Sequence, residues 1–248
     1  MHILLCIDDT DNIESRGTGE IATLISKGIE ERKWGHCSKI TRHQLFIHPD
    51  VPYTSHNSSM CFEADIDEPY ISHIISYASD FLEKESAEGS DPGLCVAAVD
   101  KILEPEILID FGKKTKKEII TISQAYDLAE KLGVHLSEHG GTGQGVIGAL
   151  AGAGLRLSGN DGRFKGKLKI ESKTGIEKVD YILSKTGFER VKDINGSDLK
   201  GDEMVIIGES LKAVLLEGKS TLLVCSKKDE NTGSMLWEAC NKQQIKSF

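Results

Sequence analysis

The chain opens on an apolar run, His2-Ile-Leu-Leu-Cys-Ile7, that stops abruptly at Asp8-Asp9-Thr10-Asp11-Asn12. A continuous run bounded by turn residues predicts a buried strand. After Arg16-Gly17-Thr18, the residues Ile21, Ala22, Leu24, Ile25 and Ile29 recur at helical spacing and end near Trp34-Gly35, giving strand, acidic loop, helix. A second strand is expected from about Ser38 to Ile47. Met60, Phe62, Ala64 and Ile66 then alternate with Cys61, Glu63 and Asp65, the period of a strand buried on one face. A helix follows over roughly Tyr70 to Lys84, then a short apolar strand over Gly93 to Val99. Glu106 to Phe111 fits either a strand or a short helix. Ser123 to Leu132 reads as a helix, with Ser123 as its N-cap and Gly133 as its stop.

Beyond this lies a second concentrated pattern, Gly140-Gly-Thr-Gly-Gln-Gly-Val-Ile-Gly-Ala-Leu-Ala-Gly-Ala-Gly154. After Gly159-Asn-Asp-Gly162 the apolar segments shorten: Val179 to Ser184, Met204 to Ile207, Lys212 to Leu216 and Thr221 to Cys225, separated by turn residues. The expected fold class is α/β, or mixed α+β: a larger α/β domain over residues 1–165 and a smaller α+β unit over 166–248.

Composition narrows the function classes. The chain has 248 residues, 39% hydrophobic and 28% charged, with 25 glycines and 5 prolines, as in ordinary globular proteins. Its formal charge of -9 argues against general polyanion binding, which depends on Lys and Arg, but leaves room for a local basic groove. Six dispersed cysteines without a C-x-x-C suggest reduced thiols rather than a zinc knuckle or disulfide framework. The absence of a signal-like N-terminus or a membrane-length apolar run makes the cytoplasm the expected location, with no membrane partner.

Three carboxylates within four residues (Asp8, Asp9, Asp11) repel one another unless a cation binds or one is protonated. Magnesium carrying phosphate is one reading; Asx turns and helix capping are the other, and the residues alone leave both open. Gly143-x-Gly145-x-x-Gly148 matches a dinucleotide fingerprint formally but lacks the preceding strand that motif needs. The loop can instead present backbone amides and a helix N-terminus to an anion, while its later glycines allow close helix packing. His135-Leu-Ser-Glu138-His139 fits the H-x-x-E-H zinc-hydrolase pattern, which requires a helix, yet glycines bracket it. His139 beside the loop is equally a candidate donor to phosphate. Lys113, Lys114, Lys116 and Lys117 are read as a solvated helix start rather than a nucleic-acid contact.

Taken together, Ile7-Asp-Asp-Thr-Asp11 followed by Arg16-Gly17, Pro52-Tyr53 ahead of the turn holding His56-Asn57, Asp91-Pro-Gly93 and Gly145-Val-Ile-Gly-Ala-Leu-Ala151 resemble the N-terminal part of archaeal tRNA-isoleucine 2-agmatinylcytidine synthetase. The resemblance covers roughly residues 1 to 155. It implies a kinase-like domain using ATP and Mg2+ to join agmatine to a tRNA cytidine. By that resemblance Asp8, Asp9 and Asp11 surround the metal, and Thr10, Gly140, Gly141, Thr142, Gly143 and Gly145 border the nucleotide. Asp9, Arg16, Asn57 and His139 are the candidate catalytic residues. The family's phosphate-accepting threonine is matched most nearly by Glu20, unless Thr18 substitutes. The chain has no room for both the family's OB-fold and its zinc ribbon.

The expectation is a cytoplasmic Mg-dependent, ATP-binding enzyme of kinase or synthetase type, a ligase or phosphotransferase related to tRNA modification. Its acceptor is an unidentified small amine or nucleic acid, and tRNA binding by this chain alone is not expected. A non-catalytic nucleotide-binding subunit needing a partner is the first alternative; the expected partners include a partner protein or a second copy in a homo-oligomer. A zinc hydrolase built on His135 and His139 is the second.

Overall fold

The computed structural model describes residues 1–51, 57–228, 235–246 and 248. Pro52, Tyr53 and His56, singled out in the sequence, lie outside the described residues. The chain divides into two compact units, Met1–Ser158 and Gly159–Phe248.

The first unit runs β1 (His2–Asp8), α1 (Thr18–Glu31), β2 (Gly35–Cys37), β3 (Thr41–Gln44), β4 (Ser58–Ile66), α2 (Ile71–Glu85), β5 (Gly93–Ala98), α3 (Pro105–Lys114), α4 (Ile122–Leu132), β6 (His135–Glu138) and α5 (Gly145–Leu157). Its strands lie in the order β6-β5-β1-β4-β3, with β2 also on β4, and every pairing is antiparallel. Cys6 of β1 stands opposite Cys61 of β4 and Cys95 of β5. The apolar run of β1 follows from this central place. Ile3, Leu5 and Ile7 pack on one face with α1 and α2, while Leu4 and Cys6 pack on the other with α3, α4 and α5.

Several local outcomes depart from the expected elements. Of the strand expected over 38–47 only Thr41–Gln44 forms, preceded by the separate short β2 at Gly35–Cys37, and between them Ser38 binds Glu63 twice, through its own N–H to the Glu63 carbonyl (2.8 Å) and by its Oγ accepting from the Glu63 N–H (2.9 Å). That double contact interrupts the ladder between β2 and β3. The ambiguous segment at 106–111 is helical, with Pro105 supplying the preset φ of a first turn. The N-cap of α4 is Thr121, not Ser123: its Oγ1 accepts from the Gln124 N–H (3.3 Å), and the Gln124 side chain accepts from the Thr121 N–H (2.9 Å). The basic run begins in the last turn of α3, not at a helix start, and Lys113 and Lys114 pair with Asp110 and Glu118 there.

Helix α5 lies close to its neighbours because small residues leave no side chain between backbones. A Cβ on Gly154 would sit 2.1 Å from the Leu108 carbonyl oxygen of α3, a backbone atom that cannot rotate away. Gly154→Ala should therefore cost about 1–3 kcal/mol of stability by forcing the two helices apart. Thermal denaturation checks this, and an unchanged melting temperature would show that the crossing has slack.

The second unit contains β7 (Arg163–Phe164), β8 (Ile176–Lys178), α6 (Val179–Thr186), β9 (Arg190–Asp193), β10 (Met204–Ile206), β11 (Val214–Leu216), β12 (Lys219–Lys228) and β13 (Met235–Ala239). Strands run in the order β7-β11-β12-β13-β10-β8, with β9 parallel to the start of β12 and β10 parallel to β13. Val179 and Ile182 of α6 pack on Val191, Val205, Leu222 and Val224. The protein is thus mixed α/β. Among the described residues, no helix is long and apolar enough to cross a membrane.

Candidate functional site

Strand β1 delivers Asp8 to the end of the sheet, and Asp9 turns the chain with a left-handed φ of 50°. Asn12 then closes a turn, its Oδ1 accepting from the Glu14 and Ser15 N–H groups (3.0 Å each). Asp11 faces the start of α1, where the Thr18 hydroxyl donates to its Oδ1 at 2.6 Å. The turn-forming role of this segment is therefore real, but it falls on Asn12 and leaves the three aspartates to a cleft.

That cleft is lined by Asp8, Asp9, Asp11 and Thr18, by Asn57 and Ser58, by Gln144, Gly145 and Gly148 at the start of α5, and by an apolar wall of Leu45, Phe46, Val51, Ile119, Ile120 and Ile147. The N-terminal ends of α1 and α5 both reach it, bringing the positive ends of two helix dipoles toward the carboxylates. A Cβ on Gly148 would lie 1.7 Å from Asp8 Oδ2, so the carboxylate rests against the first turn of α5 only because no side chain is there. Thr10 is fully buried, and its hydroxyl has no hydrogen-bond partner among the described residues.

The electrostatics are strained in one direction. Burial, then the neighbouring Asp9 and Asp11 charges, pushes the Asp8 carboxyl well above the usual carboxylate range. Asp9 is pushed up to about 6 by burial, then by Asp91 and Asp11. A carboxyl whose folded pKa is raised weakens the fold most above that value and ceases to do so below its ordinary one. From pH 7.5 down to 5.5 the penalty that Asp9 places on the folded state thus shrinks progressively. His135 acts oppositely, since burial and then His139 lower its pKa. The difference in melting temperature between the wild type and Asp9→Asn isolates the Asp9 contribution: the stabilising effect of Asp9→Asn should be greatest at pH 7.5 and shrink by pH 5.5. A pH-independent difference would contradict the raised pKa.

The glycine loop is fixed from below by Asp91, which accepts from the Thr142 N–H through one oxygen and from its hydroxyl through the other (2.6 Å). Gly141 adopts φ 62°, and a Cβ there would meet Asp91 Oδ1. Gly145 contributes to the cleft lining, whereas Gly140, Gly141, Thr142 and Gly143 are not among the lining residues. Asn57 is, with its side-chain amide donating to the Phe46 carbonyl (2.7 Å). Arg16 stands outside the lining and pairs with Glu85 at 3.0 Å. Glu20 is exposed, while Thr18 is buried at the cleft. Sequence reasoning did not single out Asp91 as the clamp; only its place in Asp91-Pro-Gly93 pointed to it.

His139 lies outside the lining and shares a chain of hydrogen bonds with Ser137 (2.8 Å) and Glu83 (3.4 Å). The H-x-x-E-H zinc reading fails on geometry: residues 135–138 form a strand, not a helix, so His135, Ser137 and His139 share one side and Glu138 alternates to the other. Among the described residues, no three His, Cys, Asp or Glu side chains are grouped to hold a metal by themselves.

No protein-family model matches the chain. The isoleucine-2 tRNA 2-agmatinylcytidine synthetase TiaS of Methanosarcina acetivorans is 28% identical over 160 residues, 63% of this chain and 36% of that protein. The protein of the same name from Pyrococcus horikoshii is 27% identical over 179 residues, 70% and 40% of the respective lengths. The chain therefore spans less than half the length of the curated relatives it matches. Among solved structures, apo TiaS, an isoleucine-2 tRNA agmatidine synthetase, has a TM-score of 0.54 at 23% identity over 62% of this chain and 35% of its own. The complex of TiaS with its isoleucine tRNA and ATP has a TM-score of 0.56 at 22% identity over 80% and 48%. At these identities the structures speak to fold. By sequence and by fold, the chain is related to a portion of the isoleucine-2 tRNA 2-agmatinylcytidine synthetases.

Proposed function

We propose that the first unit is a magnesium-dependent, ATP-binding catalyst of kinase or synthetase type, a ligase or phosphotransferase acting on an unidentified acceptor in the cytoplasm. The observation that carries this reading is the meeting of Asp8, Asp9 and Asp11, the first two pushed up by burial and by neighbouring carboxylates, with two helix N-termini in one cleft. The donor set fits Mg2+, which is usually held by one or two carboxylates together with substrate phosphates rather than by a closed protein cage. One or two of Asp8, Asp9 and Asp11 would hold it, together with the oxygens of a bound phosphate. The bare Gly148 position lets the Asp8 carboxylate lie against the first turn of α5, beside the helix end that favours a phosphate carried by the metal. When bound, the metal ion screens phosphate charge during transfer.

The other roles belong to the chain itself. The positive end of the α5 dipole at Gly145 favours phosphate oxygens, and the Leu45, Phe46 and Ile147 wall accommodates an apolar face such as a nucleobase. Asp11 accepts the Thr18 hydroxyl hydrogen and so orients that oxygen, making Thr18 rather than Glu20 the position to take a phosphate. Calorimetry of ATP binding with and without Mg2+, followed by chromatography of products, tests the reading. Mg-dependent binding with turnover to ADP or AMP is the expected result, and absence of binding overturns it.

A further inference from the structure

Outside the cleft, His135, Ser137 and His139 meet Glu83 of α2 in a chain of hydrogen bonds that the cleft chemistry does not use. Strand β6 stands at the edge of its sheet, and its His135 and Ser137 lie opposite Val96 and Leu94 of β5. Those two pack on the α1 and α2 side, so His135 and Ser137 project toward α2. The His139 N–H donates to the Pro92 carbonyl (2.8 Å), which extends the ladder by one residue and places His139 on the same side as Ser137. Ser137 Oγ then lies 2.8 Å from His139 Nε2 and 3.0 Å from His135 Nε2, and His139 Nδ1 lies 3.4 Å from Glu83 Oε1. The His139 side chain is only 6% exposed, whereas that of Glu83 is 64% exposed.

The proton directions follow from the groups themselves. An ionised carboxylate only accepts, so His139 Nδ1 carries the proton shared with Glu83, and Nε2 of the neutral ring accepts from the Ser137 hydroxyl. Burial and then His139 hold the His135 pKa down, so that ring is neutral near pH 7, and its one N–H, on Nε2, donates to Oγ. A hydroxyl within about 3.2 Å of a base that is itself oriented by a third group is the arrangement of an activated nucleophile. We infer that Ser137 is the nucleophile, His139 the general base and Glu83 the positioning residue of a site that hydrolyses small carboxylic esters. Oγ bonds to the carbonyl carbon as its proton passes to His139 Nε2, and the oxyanion forms within reach of His135 Nε2–H. The carbonyl re-forms, the bond to the alcohol oxygen breaks, and the alcohol leaves with the proton from His139. Water then attacks the acyl carbon and gives a proton to His139; the bond to Oγ breaks, Oγ regains that proton and the carboxylic acid departs. One side-chain donor for the oxyanion suits an ester, whose alkoxide leaves more readily than the amine of an amide. Satisfying a part-buried serine takes one partner; that need gives no reason for a hydroxyl set between two imidazoles, one of them held by a carboxylate. The inference does not depend on the nucleotide reading of the first unit.

The test uses the full chain with EDTA and without ATP. Two readouts serve: diisopropyl fluorophosphate labelling mapped by peptide mass spectrometry, and release of p-nitrophenolate from p-nitrophenyl acetate. The phosphoryl group should appear on Ser137 as fluoride leaves, and His139→Gln should slow that labelling by at least about 100-fold, the scale of a lost general base. Ser137→Ala should lose ester hydrolysis down to the rate of free imidazole, while Ser123→Ala, at an exposed serine of α4, should keep both wild-type rates. Glu83→Ala should slow labelling, and added formate should restore part of it, which a merely structural role would not produce. Wild-type protein labelled elsewhere, or not at all, overturns the inference, and that readout needs no variant. So does a wild-type rate of ester hydrolysis in Ser137→Ala.

Discussion

Asp9→Asn is expected to reduce ATP turnover by at least about 100-fold, on the scale of removing one preorganised electrostatic group from a reacting site, while raising the melting temperature at pH 7.5. The two directions have one cause. Asp9 sits in a left-handed backbone conformation that Asn tolerates as readily as Asp, so the substitution leaves the turn intact. It deletes a charge held in repulsion with Asp11 and Asp91 and half withdrawn from water. The fold gains from that deletion, and a bound cation loses a ligand. A variant that keeps full turnover would remove Asp9 from the metal site; one that loses turnover together with stability would mean that the turn itself had collapsed.

Gly148→Ala should weaken Mg·ATP binding by at least about tenfold with little change in stability. The added methyl meets the tip of the Asp8 side chain at 1.7 Å, and that carboxylate can rotate where a backbone atom could not. Rotation carries Asp8 off the first turn of α5, where it faces the other aspartates. A second contact, with Leu45 Cδ1 at 2.9 Å, pushes on the apolar wall of the cleft. Calorimetry on the folded variant is the check, and unchanged affinity would show that Asp8 and the α5 N-terminus act independently. The contrast with Gly154→Ala is informative: both positions lie on α5, but one clash falls on a movable ligand group and the other on the carbonyl of a packed helix.

Much of this was legible before the structure. Periodicity placed β1, α1, β4, α2 and β5, because each is long enough for apolar spacing to be distinctive. The Asp8 to Asp11 cluster announced itself, since carboxylates crowded after a buried strand need a physical reason. What failed did so for local reasons. The break between β2 and β3 depends on Ser38 meeting Glu63, a residue 25 positions away. His135 to His139 carries helical metal spacing, yet its backbone is drawn into pairing with β5, which turns i, i+4 neighbours into residues far apart along a strand. Arg16 lies beside the aspartates in sequence but is held by Glu85 of α2.

The sequence by itself determined the longer elements, the covered strand, and the presence of an acidic turn and a glycine loop, because these depend on side-chain period and on residues adjacent in the chain. Only the tertiary structure decided which of these residues share a cleft. Asp8, Asp9, Asp11, Thr18, Asn57 and the start of α5 meet because antiparallel pairing brings the end of β1 beside β4 and β5, and because missing side chains on α5 let that helix start close against the sheet. Proximity across such distances is set by packing, which no local pattern encodes.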